Sequence, residues 1–125
     1  MILVENNFFM NGGDFDVAAV NDIYEVRGVF SLDANRNLSA TFWLVENGEL
    51  VTSSLGSCEY SIFDKNGDAV ALLIESGLAP DVNGQYISTP VSGITLNDLT
   101  HYVALVSIDY KAETRQSYLG IIIGD

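Results

Sequence analysis

One cysteine, two prolines and one histidine among 125 residues set the first limits on this chain. A lone Cys58 forms no intrachain disulfide and excludes a four-thiolate metal site. A lone His101 would have to serve any Ser or Cys nucleophile as base, and no Gly-x-Ser-x-Gly elbow accompanies it. No window approaches the ~20 consecutive apolar residues of a membrane-spanning helix. The opening Met1-Ile2-Leu3-Val4-Glu5 is apolar but short, lacks a basic region and runs into Asn6 and Asn7. No secretory signal is expected there, and synthesis in a reducing cytoplasm is.

Cations are scarce as well. Five Lys and Arg against 17 Asp and Glu leave a formal net charge of −12, so the field around the protein is strongly negative. Nucleic-acid binding rests on cations that neutralise phosphates, and anionic membranes select for the same residues. Neither nucleic acid nor membrane is an expected partner.

What is present is a foldable composition. Hydrophobic residues make up 48% and charged ones 18%, far from the balance of disordered chains. A chain of this length buries a core without staples, and no repeat, low-complexity tract or linker divides it. One domain over 1–125 is expected, with 1–22 as an N-terminal arm or edge strand, because Phe8-Phe9, Asn11-Gly12-Gly13 and Asp14-Phe15-Asp16 fit no clean period.

Elsewhere, short alternating runs recur between Gly, Asn and Asp every ten residues or so, the habit of sandwiches and barrels. The pattern predicts strands over 24–31, 38–46, 49–53, 58–64, 69–74, 85–91, 102–110 and 114–123. Asn47-Gly48 and Asn66-Gly67 mark tight hairpins, and Asp81-Val82-Asn83-Gly84 marks another reversal. A polar loop is expected at Asp33-Ala34-Asn35-Arg36-Asn37, and a single helical turn over 94–99.

In the segment Leu96-Asn97-Asp98-Leu99-Thr100-His101-Tyr102-Val103, a tyrosine opens a strand just after a Leu-containing corner. It resembles the tyrosine corner of immunoglobulin-like and fibronectin-type sandwiches, in which the hydroxyl bonds back to nearby backbone. Tyr102 holds the matching position. Trp43 falls on the strand before the one that carries the antibody-domain tryptophan, and paired core cysteines are absent. The resemblance implies an all-β, immunoglobulin-like two-sheet antiparallel sandwich of about 7–8 strands.

The run from Cys58-Glu59-Tyr60 through Asn66-Gly67-Asp68, with Asn83-Gly84-Gln85-Tyr86 and the tyrosine-corner strand, is similar to small accessory domains of bacteriophage virion proteins. The likeness covers the C-terminal two-thirds of the chain. It implies a capsid decoration, fibre or baseplate component, located in the virion after synthesis in the host cytoplasm.

Candidate chemistry is weighed against plainer readings. Asp64, Asn66 and Asp68 have the first, third and fifth spacing of a calcium loop, with Glu75 at the twelfth, yet Ala69 takes the glycine place. A turn-rich hairpin explains them better than a cation site, and Asp33, Asn35 and Asn37 likewise. Cys58 reads as a small buried hydrophobe. Asp14 and Asp16 imitate a glycosidase pair, as chance allows among 17 acids. His101 reads as a surface residue.

The final strands carry the more informative pattern. With Tyr102, Ala104 and Val106 facing the core, Val103 and Leu105 face outward. On the last strand Leu119, Ile121 and Ile123 alternate with Tyr118 and Ile122. A sandwich sheet normally keeps one wet face, so an apolar one needs a cover: either this chain's own N-terminal segment, through Phe8, Phe9 and Phe15, or a protein partner. The expectation is a non-enzymatic structural protein without cofactor, a virion accessory that docks on a capsid or other virion protein or self-associates. Its interface residues are Val103, Leu105, Tyr118, Ile122, Phe8 and Phe9. The alternative is a glycan- or host-surface-binding module, calcium-assisted or not, with Trp43, Tyr60 and Tyr86 as stacking platforms.

Overall fold

The computed structural model describes residues 2–10, 23–88, 90–92, 94, 96–97 and 100–123. Among them there is no helix, and nine strands form two antiparallel sheets. In chain order they are β1 (Ile2–Met10), β2 (Tyr24–Leu32), β3 (Leu38–Glu46), β4 (Glu49–Leu50), β5 (Leu55–Asp64), β6 (Ala69–Leu78), β7 (Tyr86–Ile87), β8 (His101–Tyr110) and β9 (Glu113–Ile123). The five-stranded sheet runs β1-β9-β8-β5-β6. The four-stranded sheet runs β2-β3-β4, with β7 also on β3.

This order is immunoglobulin-like. β2, β3 and β7 take the places of strands A, B and E, and β5, β8 and β9 those of C, F and G. β6 and β1 add one strand at each edge of the second sheet. β1 is the ninth strand, beyond the seven or eight expected, and its pairing explains why its sequence shows no period. The ladder to β9 shifts register between Asn6 and Phe8, so one extra residue inverts the alternation halfway along.

Alternation builds the core. In β3, Leu38, Ala40, Phe42 and Leu44 are buried, and in β8, Tyr102, Ala104, Val106 and Ile108 are. Phe30 and Phe42 from one sheet meet Tyr60 from the other, with ring centroids 4.9 to 5.9 Å apart in tilted and edge-on pairs. Each such ring removes enough apolar area from water to stabilise the fold by about 1.5–3 kcal/mol.

Polar side chains then fix how the layers meet. The buried Ser117 Oγ accepts the Val26 N–H at 3.0 Å, joining β9 to β2. The Tyr86 hydroxyl donates to the Gly56 carbonyl at 2.7 Å, joining β7 to β5. The Tyr102 hydroxyl accepts the Asn97 N–H at 2.7 Å, the contact that a tyrosine corner requires.

Two expectations change in detail. β4 ends at Leu50, because Val51 turns inward, its N–H bonding to the Leu44 carbonyl, and the chain then leaves for the other sheet. β7 keeps two residues of the longer strand expected, with an isolated bridge between Val91 and Leu38. The helical turn expected over 94–99 is not found where the structure speaks: Ile94, Leu96 and Asn97 belong to no helix, and Thr95, Asp98 and Leu99 lie outside the described residues.

Candidate functional site

The outward positions of β5, β8 and β9 fall into rows set by register. Phe63 pairs with Val103, which pairs with Gly120; Ser61 pairs with Leu105, which pairs with Tyr118. Phe63, Val103, Leu105 and Tyr118 therefore adjoin on one face, and each is half-buried. The next rows are polar. Asp109 accepts from Ser57 Oγ at 3.2 Å and from Thr114 Oγ1 at 3.0 Å, and Gln116 Nε2 donates to Ser107 Oγ at 3.2 Å. The apolar strip is confined to the end of the sheet where β8 begins.

β1 bears on what covers this strip. It pairs beside β9 and extends the sheet sideways, with Phe8 opposite Tyr118 and Phe9 opposite Ser117. Phe8 and Phe9 thus sit in the plane of the sheet, at its edge, and are placed here by backbone register alone. Ile122 is likewise placed by register, between Leu3 and His101. Phe15 lies outside the described residues.

The candidate cation loop is a turn clamp. Asp64 Oδ1 accepts the N–H groups of Asn66 and Asp68 at 2.8 and 3.0 Å. Asp33 Oδ1 does the same for Asn35 and Asn37, both at 2.8 Å, and Asp81 Oδ1 for Asn83 and Gln85 at 2.8 and 2.9 Å. Three turns thus share one construction, and the third residue after each aspartate has positive φ: Arg36 (65°), Gly67 (88°) and Gly84 (79°). The spacing that imitates a calcium loop is the spacing at which an aspartate closes its own turn. Among the described residues, no three His, Cys, Asp or Glu side chains gather as a metal group.

Other candidates separate. His101 is exposed at the first position of β8. Cys58 is buried, and burial pushes its thiol far above its usual range, with Glu59, Asp109 and Glu75 adding to the effect. It is no thiolate. Tyr60 and Tyr86 are fully buried and offer no stacking platform, which corrects that expectation for two of three aromatics. Trp43 alone remains half-buried on an outer face, in register with Arg27. Asp14 and Asp16 lie outside the described residues.

A second apolar surface escaped the sequence reading. On the outer face of the smaller sheet, Val29 pairs with Thr41 and Thr41 with Ile87, and Val29 and Ile87 are 55% and 59% exposed. Leu50, also exposed, pairs with Val45 farther along the same face. The signal was present, since burial of Tyr24, Val26 and Phe30 leaves Val29 outward, but Arg27 and Ser31 beside it made the face look wet.

Comparison with known proteins places no relative beside these surfaces. No family model matches the chain, and no curated protein or solved structure matches it.

Proposed function

We propose that this protein is a non-enzymatic interaction domain, a virion accessory of the capsid-decoration kind, which docks on a larger protein assembly through the outer face of its five-stranded sheet. The carrying observation is the in-register strip of Phe63, Val103, Leu105 and Tyr118 on a face that sandwiches usually keep polar. A strip half-covered by its own neighbours and bordered along the strands by hydrogen-bonded polar rows resembles an interface core with a polar border. The net charge of −12 supports a protein rather than a nucleic-acid partner. The virion context rests on the sequence resemblance alone.

The test is sedimentation of the purified chain with virus particles assembled in infected source cells. Wild type should pellet with the particles, while Val103→Glu and Leu105→Glu should stay in the supernatant with unchanged melting curves. Equal pelleting of all three, or of none, rejects the reading. A recognition module is the second reading, favoured by one observation: Trp43 faces outward beside Arg27. Glycan binding lost in Trp43→Ala, with no particle binding, would select it.

A further inference from the structure

None of the five cations stands on the outer face of the five-stranded sheet. Arg27 belongs to β2 in the smaller sheet, and Arg36 donates to the Leu96 carbonyl. Lys65 and Lys111 occupy the turns after β5 and β8, and Arg115 is buried over the ring of Tyr24. The outward positions of β5 and β8 do carry carboxylates, Glu59 and Asp109. Asp109 is taken up by the hydroxyls of Ser57 and Thr114. The exposed Glu59 carboxylate makes no hydrogen bond or ion pair among the described residues.

Local geometry keeps this carboxylate open. Glu59 pairs with Ser107, so it stands on the same face as Ser61 and one step along the strands beyond the row of Ser61, Leu105 and Tyr118. On its other side β6 bulges. The partner of Cys58 is Leu78 and that of Tyr60 is Glu75, so Ser76 and Gly77 together span the place opposite Glu59. Both are exposed, and Gly77 has no side chain to lean over the carboxylate.

An apolar strip that borders an open carboxylate, on a face without cations, is complementary to one kind of surface. On the reading that the strip docks, we infer that the partner is a protein surface that presents an apolar ridge flanked by a lysine or arginine, and that this cation pairs with Glu59. An exposed pair at the border of an interface adds little affinity. It speeds encounter and fixes register, because the reversed orientation would leave Glu59 unmatched or against a like charge. The net charge of −12 draws the same cationic surface from a distance.

Sedimentation of the purified full chain with the virus particles, at rising sodium chloride, tests the pairing. Wild-type binding should weaken as salt rises. Glu59→Gln should bind about threefold more weakly, with a shallower salt dependence, and Glu59→Lys at least ~10-fold more weakly. Glu49→Lys makes the same charge change at an exposed position of the other sheet and should stay within about twofold of wild type, because a distant surface charge is screened. Melting curves of the four chains should coincide, since both glutamates are exposed. Binding of Glu59→Lys equal to wild type, with Val103→Glu still lost, overturns the cationic partner and leaves docking through the strip standing. Equal losses in Glu59→Lys and Glu49→Lys overturn it as well, because the overall field alone would then govern. Failure of wild type to pellet overturns docking and the cationic partner together.

Discussion

The guanidinium of Arg115 lies over the ring of Tyr24, 3.9 Å from its centroid, and its Nη2 reaches Glu113 Oε2 at 2.9 Å. Tyr24 in turn meets Tyr110 edge-on at 5.8 Å, and the Tyr110 hydroxyl donates to Glu46 Oε1 at 3.0 Å. One chain of contacts thus ties β9 to β2, β8 and β3 at one end of the sandwich. Arg115 is almost wholly buried, so its planar stack is shielded from water and worth more than a surface contact.

Arg115→Ala is expected to lower unfolding stability by about 2 kcal/mol, because it removes the stack and the stem's packing together. Arg115→Lys should recover less than half of that, since a compact ammonium cannot reproduce the planar contact. Urea unfolding of the three proteins measures both differences. Full recovery by lysine would show that charge alone matters at this position.

The shared turn construction leads to unequal costs at its glycines. Gly67 and Gly84 both have positive φ, where a Cβ costs about 1–2 kcal/mol by itself. A Cβ on Gly67 meets nothing within 4 Å, but one on Gly84 falls 2.2 Å from the Val51 carbonyl oxygen. Gly67→Ala should therefore lose only the backbone cost. Gly84→Ala should lose at least twice as much, as read from urea midpoints, because the turn must retreat from the connection after β4. Equal losses would mean that the turn moves away freely.

Much of this architecture was legible because alternation of period two is long and clean in β2, β3 and β8. It failed where the period was broken or too short to read. An extra residue after Asn6 inverts β1 halfway along, so its two apolar ends never looked like one strand. Ile87 belongs to a two-residue strand, where alternation has no length, and only its neighbours Tyr86 and Ser88 reveal by their burial that it points out. The outward strip at Val103 and Leu105 was readable for the opposite reason, since β8 runs ten residues. The turns were placed correctly, and Asp64 and Asp33 close them as the turn reading expected, although cation ligation and turn closure draw on the same residue types at the same spacing.

Tyr102→Phe isolates the corner contact. The ring stays, while the Asn97 N–H loses the oxygen that accepts it at 2.7 Å. A loss of about 1 kcal/mol is expected, the ordinary net value of one such bond. Chemical denaturation of the single variant reads it, and an unchanged midpoint would show that water replaces the hydroxyl without cost.

Tyr60 carries the alkaline prediction. Its hydroxyl is buried and lies near the Ser88 hydroxyl without meeting hydrogen-bond geometry, so the contact offsets little of the cost of burial. Burial raises its pKa from 10.0 to about 12, opposed by the nearby Ser88 and helped by Glu75 and Cys58. Between these values the unfolded chain releases the phenolic proton and the folded one keeps it, so the unfolded state is favoured as pH rises. The stability that this group contributes is complete below about pH 10 and is lost through about pH 12, a change on the order of 2 kcal/mol. Tyr60→Phe keeps the ring against Phe30 and Phe42 and removes the unpaired hydroxyl, so at pH 7 it should be neutral or stabilising by up to about 1 kcal/mol. Above pH 10 its stability should fall less steeply than that of wild type, although exposed tyrosines and the growing negative charge weaken both proteins alike. Unfolding midpoints from pH 7 to pH 12 for the two chains give the difference, and parallel curves would place the alkaline transition on another group.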